Sequence, residues 1–133
     1  RNNAKFQSPF FHEPEQVISK ETADEMKRML IKTVQEGTGR SARIEGLEIG
    51  GKTGTAQIAG GTGYLKKYIS SFVGFVNDDK GNSYTIGVTV INPNPIRPHY
   101  YAAQSAVPVF KEIIQNLIKL NYLSPKEDIN LEN

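Results

Sequence analysis

Two β-rich apolar runs, residues 69–76 and 84–91, flank Asn77, Asp78, Asp79, Lys80, Gly81 and Asn82, and this arrangement constrains the chain more than any other. Runs of that length rich in Ile, Val, Phe and Tyr suit a pleated, half-buried surface, and the residues between them have the side chains that reverse a chain. The pair reads as a β-hairpin. A third strand is expected before it. Gly46, Gly50, Gly51 and Gly54 alternate there with Leu47, Ile49, Thr53 and Thr55, a glycine and β-branched load that would weaken a helix at every turn.

Helices are expected on either side of these strands. Ser19 or Thr22 can cap the first, Thr22 with Glu25 forming a capping box. Ala23, Met26, Leu30 and Val34 recur at helical spacing with Met29 alongside, and Gly37 and Gly39 supply a left-handed stop. The second helix begins near Ser105, tolerates Pro108 in its first turn, and has Val109, Ile113, Leu117 and Leu120 as its buried face. Asn92, Pro93, Asn94 and Pro95 end the last strand, and the stretch 60–63 is a flexible connection. Residues 1–18 form an irregular lead-in, and the polar tail 124–133 frays. Helix, strand, strand, strand, helix describes an α+β unit, an antiparallel meander covered by helices.

Composition removes several function classes. The chain of 133 residues carries a formal charge of +2 with its basic residues scattered, so no concentrated surface exists for nucleic acid. With no cysteine, thiol chemistry, disulfides and Cys-ligated metals are excluded. His12 and His99 are isolated, which gives no metal site, and no cofactor motif is present. No apolar run reaches the ~20 residues that span a bilayer. The opening at Arg1 rather than Met reads as a processed or excised piece of something longer.

The segment that carries chemistry is Gly50-Gly51-Lys52-Thr53-Gly54-Thr55-Ala56-Gln57. Gly46 followed by Gly51-Lys52-Thr53 satisfies the literal spacing of a nucleotide-binding P-loop. A P-loop, however, opens directly into a helix whose N-terminus holds the phosphates, and Gly54, Thr55 and Gly60-Gly61 provide no helix body. The spacing is a coincidence of glycines.

Lys52-Thr53-Gly54 is also the Lys-Thr-Gly element of penicillin-recognising serine enzymes, which lies on a strand. Its setting is more specific than the tripeptide. Glu36-Gly37-Thr38-Gly39-Arg40-Ser41-Ala42 and Ile44-Glu45-Gly46 precede it. Tyr68-Ile69-Ser70-Ser71-Phe72-Val73-Gly74-Phe75, Val88-Thr89-Val90-Ile91-Asn92-Pro93, and Tyr100-Tyr101-Ala102-Ala103 with Ala106-Val107-Pro108-Val109-Phe110 follow. Over residues 18–120 this order resembles the C-terminal third of the transpeptidase domain of class B penicillin-binding proteins. The fold implied is a five-stranded antiparallel sheet flanked by helices, with three of its strands here, residues 45–57 lining a cleft, and a second, all-helical subdomain.

The resemblance implies roles at matching positions. Lys52 places a positive charge near nucleophile and substrate carboxylate, a pairing of ~4 kcal/mol at ~4 Å and an effective dielectric of ~20 before desolvation. Thr53 offers a hydroxyl to that carboxylate, Gly54 lets the substrate backbone approach, and Thr55 presents its N–H to a developing oxyanion. Gln57 faces either the cleft or solvent. The reaction implied is acyl transfer from the D-Ala-D-Ala end of a peptidoglycan stem peptide, with β-lactams as mimics. The partners implied are the remaining segment of the domain and cell-wall synthesis or divisome proteins, at the periplasmic, extracytoplasmic face of a membrane that anchors the parent through an N-terminal helix. The family's Ser-x-x-Lys and Ser-x-Asn motifs occur nowhere in the chain, so the chain alone is expected not to form an acyl-enzyme. A D,D-carboxypeptidase or serine β-lactamase of the same fold, and a non-catalytic penicillin-binding module, are the alternatives. The Lys-Thr-Gly-Thr-Ala-Gln form leans towards a division enzyme. Arg40 and Arg43 read as solvated turn residues or acidic-substrate contacts, Tyr100 and Tyr101 as packing residues or cleft borders, and Asp78 and Asp79 as turn residues.

Overall fold

The computed structural model describes residues 13–60, 63–91 and 101–127. Residues 13–18 form neither helix nor strand. Helix α1 spans Lys20–Gln35, and its N-cap is Ser19, whose hydroxyl accepts from the Thr22 N–H at 3.1 Å. The cap therefore falls one turn before the Thr22 and Glu25 box, and Glu25 pairs with Arg28 instead. Of the apolar residues at helical spacing, Val34 is buried, while Met26 and Met29 are half exposed.

Gly37 and Gly39 do follow the helix, but neither takes the left-handed conformation, which among the described glycines belongs to Gly46 and Gly81. Their N–H groups both donate to the Thr33 carbonyl, at 3.0 and 3.1 Å. Glycine is needed here for room. A Cβ on Gly37 would lie 2.9 Å from the Thr33 oxygen, and one on Gly39 3.1 Å from Val34 Cγ2 and 3.3 Å from Phe72 Cε2.

Strands β1 (Glu48–Gly60), β2 (Gly63–Asn77) and β3 (Ser83–Ile91) form one antiparallel sheet in sequence order, the expected meander. The strands are longer than their apolar runs. β1 starts at Glu48 rather than 45 and continues to Gly60, and β2 begins at Gly63 rather than 69. Gly60 is opposite Gly63, so backbone pairing persists into the stretch expected to be a loose connection, with a register shift between Gln57 and Ala59. Residues 61 and 62 lie outside the described residues, as do the expected stop at 92–95, His12, His99 and Tyr100.

The hairpin turn is organised by Asp78. Its carboxylate accepts from the backbone N–H groups of Lys80 (2.9 Å), Asn82 (2.8 Å) and Ser124 (3.0 Å) and from Asn82 Nδ2 (2.7 Å). The tail expected to fray from Ser124 is therefore held at its start. Leu123 is buried, and the Lys126 N–H donates to the Gly46 carbonyl at 2.9 Å. Residues 128–133 are not described.

One face of the sheet carries the core. Ser70, Phe72 and Val76 of β2 are buried against helix α2 (Ala106–Lys119), where the Phe72 and Phe110 rings meet edge to face, centroids 4.6 Å apart. The buried stripe of α2 is Ala106, Val107, Phe110 and Ile114. The expected face holds in part: Ile113 and Leu117 pack against the core, whereas Val109 is 41% and Leu120 65% exposed. Both stripes lie within one broad apolar side of an amphipathic helix, and the size of Phe110, matched to Phe72, decides which part of it turns inward. The other face carries Phe75 beside α1 and leaves Val73 and Ile91 exposed. Two 3-10 turns absent from the sequence reading, η1 (Arg40–Ala42) and η2 (Ala102–Gln104), lead into β1 and α2.

Candidate active site at the margin of the first strand

β1 is an edge strand among the described residues, since it pairs with β2 alone. Lys52, Thr53, Gly54 and Thr55 lie extended in its middle, which is incompatible with a P-loop. Successive residues of such a strand alternate the edge towards which their N–H and C=O point. The Gly51 carbonyl accepts from the Thr33 hydroxyl of α1, and the Thr53 carbonyl accepts from Lys52 Nζ at 3.0 Å. Both are partners outside the ladder, so Thr55, two positions further on, directs its N–H to the same outer margin.

Side chains alternate between faces. Thr53 and Thr55 stand opposite Phe72 and Ser70 and point to the α2 side, whereas Lys52 and Gly54 stand opposite Val73 and Ser71. Lys52 curls round the margin to reach the Thr53 carbonyl, and its charge therefore sits at the edge rather than over the sheet. A Cβ placed on Gly54 would meet nothing within 4 Å. The strand is thus bare at Gly54 on its Lys52 face, with the Thr53 and Thr55 side chains on the other face. Gln57 is exposed further along β1 and does not line this cleft.

Across from the threonines, a cleft of about 260 Å³ is lined by Thr38, Thr53, Thr55, Tyr101 and the η2 turn. Its far wall is tied down. Ser41 Oγ donates to the Ala103 carbonyl at 3.4 Å, Ser105 Oγ donates to the Tyr101 carbonyl at 2.9 Å, and Ser105 also bonds the buried Ser70 hydroxyl. Tyr101 is 52% exposed and borders the cleft, one of its two expected roles. Arg40 lies in the η1 turn and Arg43 pairs with Glu45 at 2.8 Å, so Arg43 is a solvated turn residue. A larger groove of about 610 Å³ between α1 and residues 43–49 contains none of the Lys52 to Gln57 side chains.

Electrostatic ties hold α1 to the strand. Glu48 Oε1 accepts from Lys27 Nζ at 2.8 Å and from Asn77 Nδ2 at 2.9 Å, and the Lys27 bond, then the Asn77 bond, lowers its pKa. Among the described residues no cluster of three His, Cys, Asp or Glu could hold a metal. The sequence reading gave no role to Thr38 or to η2. The signal for Thr38 was its place in Gly37-Thr38-Gly39, where a hydroxyl stands between two residues with no side chain.

Residues 2–115 match the family model of the penicillin-binding protein transpeptidase domain, and the chain belongs to that family. As its sequence resemblance implied, its relatives are class B penicillin-binding proteins. It is 44% identical over 94 residues to stage V sporulation protein D of Bacillus subtilis, covering 70% of this chain and 14% of that protein. It is 31% identical over 127 residues to the peptidoglycan D,D-transpeptidase FtsI of Buchnera aphidicola, covering 94% of this chain and 21% of that protein. Among solved structures, the transpeptidase domain of Burkholderia pseudomallei penicillin-binding protein 3 superposes with a TM-score of 0.69 at 32% identity, over 85% of this chain and 34% of that one. Penicillin-binding protein 3 of Mycobacterium tuberculosis, complexed with ampicillin, gives 0.64 at 27% identity, over 90% of this chain and 29% of that one. The chain thus spans less than a third of the length of the curated relatives it matches.

Proposed function

We propose that this chain is the Lys-Thr-Gly segment of a peptidoglycan D,D-transpeptidase that works by serine acyl transfer. The observation that carries the reading is the open outer margin of β1, where Lys52 Nζ reaches the Thr53 carbonyl, the Thr55 N–H points outward, Thr53 lines the cleft and Gly54 adds no side chain. These are the groups needed to seat an extended peptide ending in a carboxylate and to stabilise charge on the carbonyl next to it. Several relatives are named peptidoglycan D,D-transpeptidases, which supports the same chemistry over that of a carboxypeptidase, a β-lactamase or a non-catalytic module.

In this reading a serine of a Ser-x-x-Lys motif, carried by the rest of the domain, attacks the carbonyl of the D-Ala-D-Ala bond. The C–N bond breaks, the terminal D-Ala leaves with a proton, and an ester to the serine remains. The amine of a second stem peptide then attacks that ester, forms the cross-link and returns the serine. Lys52 holds the serine and the carboxylate in a positive field, Thr53 donates to the carboxylate, the Thr55 N–H faces the oxyanion, and Gln57 contacts the donor peptide beyond it. A β-lactam ring opened by the same serine gives a persistent acyl-enzyme.

The substrate places the active protein outside the cytoplasmic membrane, among cell-wall synthesis and divisome proteins. Among the described residues no helix is long and apolar enough to cross a membrane, and we assign anchoring to an N-terminal helix of the parent. The test is labelling with a fluorescent penicillin. The full-length protein is expected to label covalently, Lys52→Ala to label at least ~100-fold more slowly, and the 133-residue chain alone not at all. An unlabelled full-length protein, or a labelled 133-residue chain, overturns the proposal.

A further inference from the structure

We propose that Thr38 is a positioning residue that turns the Thr53 hydroxyl into a donor for the substrate carboxylate, an inference that rests on the transpeptidase reading above. Thr38 Oγ1 lies 3.1 Å from Thr53 Oγ1, and both residues line the cleft beside the strand. A hydroxyl has one proton and two lone pairs, whereas an ionised carboxylate only accepts. When a carboxylate arrives, Thr53 must give it its single proton. The contact between the two threonines then runs one way, with the Thr38 O–H donating to Thr53 Oγ1.

That direction matters because a free threonine hydroxyl rotates. Its proton can serve water or a nearby carbonyl as readily as a ligand. A donor fixed beside Thr53 occupies one lone pair and disfavours rotamers that aim the Thr53 proton back at Thr38. It also polarises the Thr53 O–H, since bonds in a donor chain strengthen one another.

The placement of Thr38 is built into the fold. Its neighbours Gly37 and Gly39 both donate their N–H to the Thr33 carbonyl, and Gly39 is buried against Val34 and Phe72. Thr33 in turn donates its hydroxyl to the Gly51 carbonyl. The turn that carries Thr38 is therefore tied to β1 two residues before Thr53. Thr38 and Thr53 are held by one anchor, and the hydroxyl contact is its last link.

The experiment compares two probes on the full-length protein, a penicillin with its free carboxylate and the methyl ester of the same penicillin, reading the second-order rate of acylation. Thr38→Val keeps the side-chain shape and removes the hydroxyl. It is expected to slow the free acid about 5- to 10-fold, the size of one hydrogen bond between neutral groups, mainly through weaker binding, and to leave the ester within about twofold. Thr38→Ser is expected to restore the free-acid rate. Equal losses on both probes mark a merely structural role and overturn the inference, as does a Thr38→Val protein with the unaltered free-acid rate. Thr53→Val separates the two levels of the argument. If it abolishes the preference for the free acid while Thr38→Val does not reduce it, the Thr38 inference fails alone. If Thr53→Val leaves the preference intact, the carboxylate site on which both readings stand is wrong.

Discussion

A Cβ added at Gly51 would lie 2.4 Å from Phe72 Cζ and 2.9 Å from the Val73 carbonyl, whereas one added at Gly54 would meet nothing within 4 Å. The two residues share a strand and a residue type but are glycine for opposite reasons. Gly51 makes room for a buried ring, and Gly54 keeps the outer surface bare. Substitution separates these roles. Gly51→Ala must displace a ring with no free volume beside it and is expected to lower stability by about 1–3 kcal/mol, read from the urea midpoint of the 133-residue chain. Gly54→Ala removes the backbone freedom of a strand glycine at no steric cost and is expected to change stability by less than about 0.5 kcal/mol. In the full-length protein it should nevertheless slow acylation, because in the proposed transpeptidase reading the methyl group stands where the substrate backbone approaches. A stability loss at Gly54 as large as that at Gly51 would contradict this division of roles.

At the level of elements, the turn between β2 and β3 does more than reverse the chain. Four donors converge on Asp78, and the Asn82 side chain, followed by the backbone N–H groups of Ser124, Asn82 and Lys80, lowers its pKa to about 2. A carboxyl whose folded pKa lies below its ordinary value of ~3.9 binds fewer protons folded than unfolded between those values. Its contribution to stability is whole above about pH 4 and is lost as the pH falls towards about 2. Asp78→Asn replaces an acceptor oxygen with an amide that faces other donors, so the variant is expected to melt lower at pH 7. Its Tm should also decline less than that of the parent chain between pH 4 and 2. Parallel declines in that window would show that Asp78 does not carry the acid sensitivity.

The residues around that turn also show what could be read from the sequence. Asp78, Gly81 and the flanking β-rich runs announced the hairpin because turn chemistry is local. The link from Asp78 to Ser124 joins residues 46 positions apart and left no local mark. Likewise Lys52, Thr53, Gly54 and Thr55 were legible as an extended motif, whereas Thr38 was not, because its partner Thr53 is a neighbour only after α1 docks on β1. In α2 the periodicity identified a helix and part of its packed face, Ile113 and Leu117, but Val109 and Phe110 both fit an apolar stripe and only packing against Phe72 chooses between them.

At the scale of the whole molecule, Phe72 joins the parts that build the site. It pairs in register with Thr53, fills the space left by Gly51 and Gly39, and packs edge to face on Phe110 of α2. The α1 turn that carries Thr38, the strand that carries the Lys-Thr-Gly element and the helix behind the η2 wall thus share one ring. The cleft lies over the core, and its geometry depends on how tightly that core is filled. A double-mutant cycle measures this coupling. Phe72→Leu and Phe110→Leu are each expected to cost about 1–3 kcal/mol, since each leaves part of an aromatic volume empty. Because the second substitution removes contacts the first has already weakened, the double variant should be less destabilised than the sum by about 0.5–1.5 kcal/mol, the usual worth of an aromatic pair beyond its area. Urea unfolding at pH 7 gives all four values. Full additivity would mean that the rings stabilise their elements independently, and that the strand margin is positioned by the β-ladder and the α1 anchor alone. The expected coupling would place α2, although it contributes no residue to the cleft, among the elements that set the distance between Thr53 and Thr38.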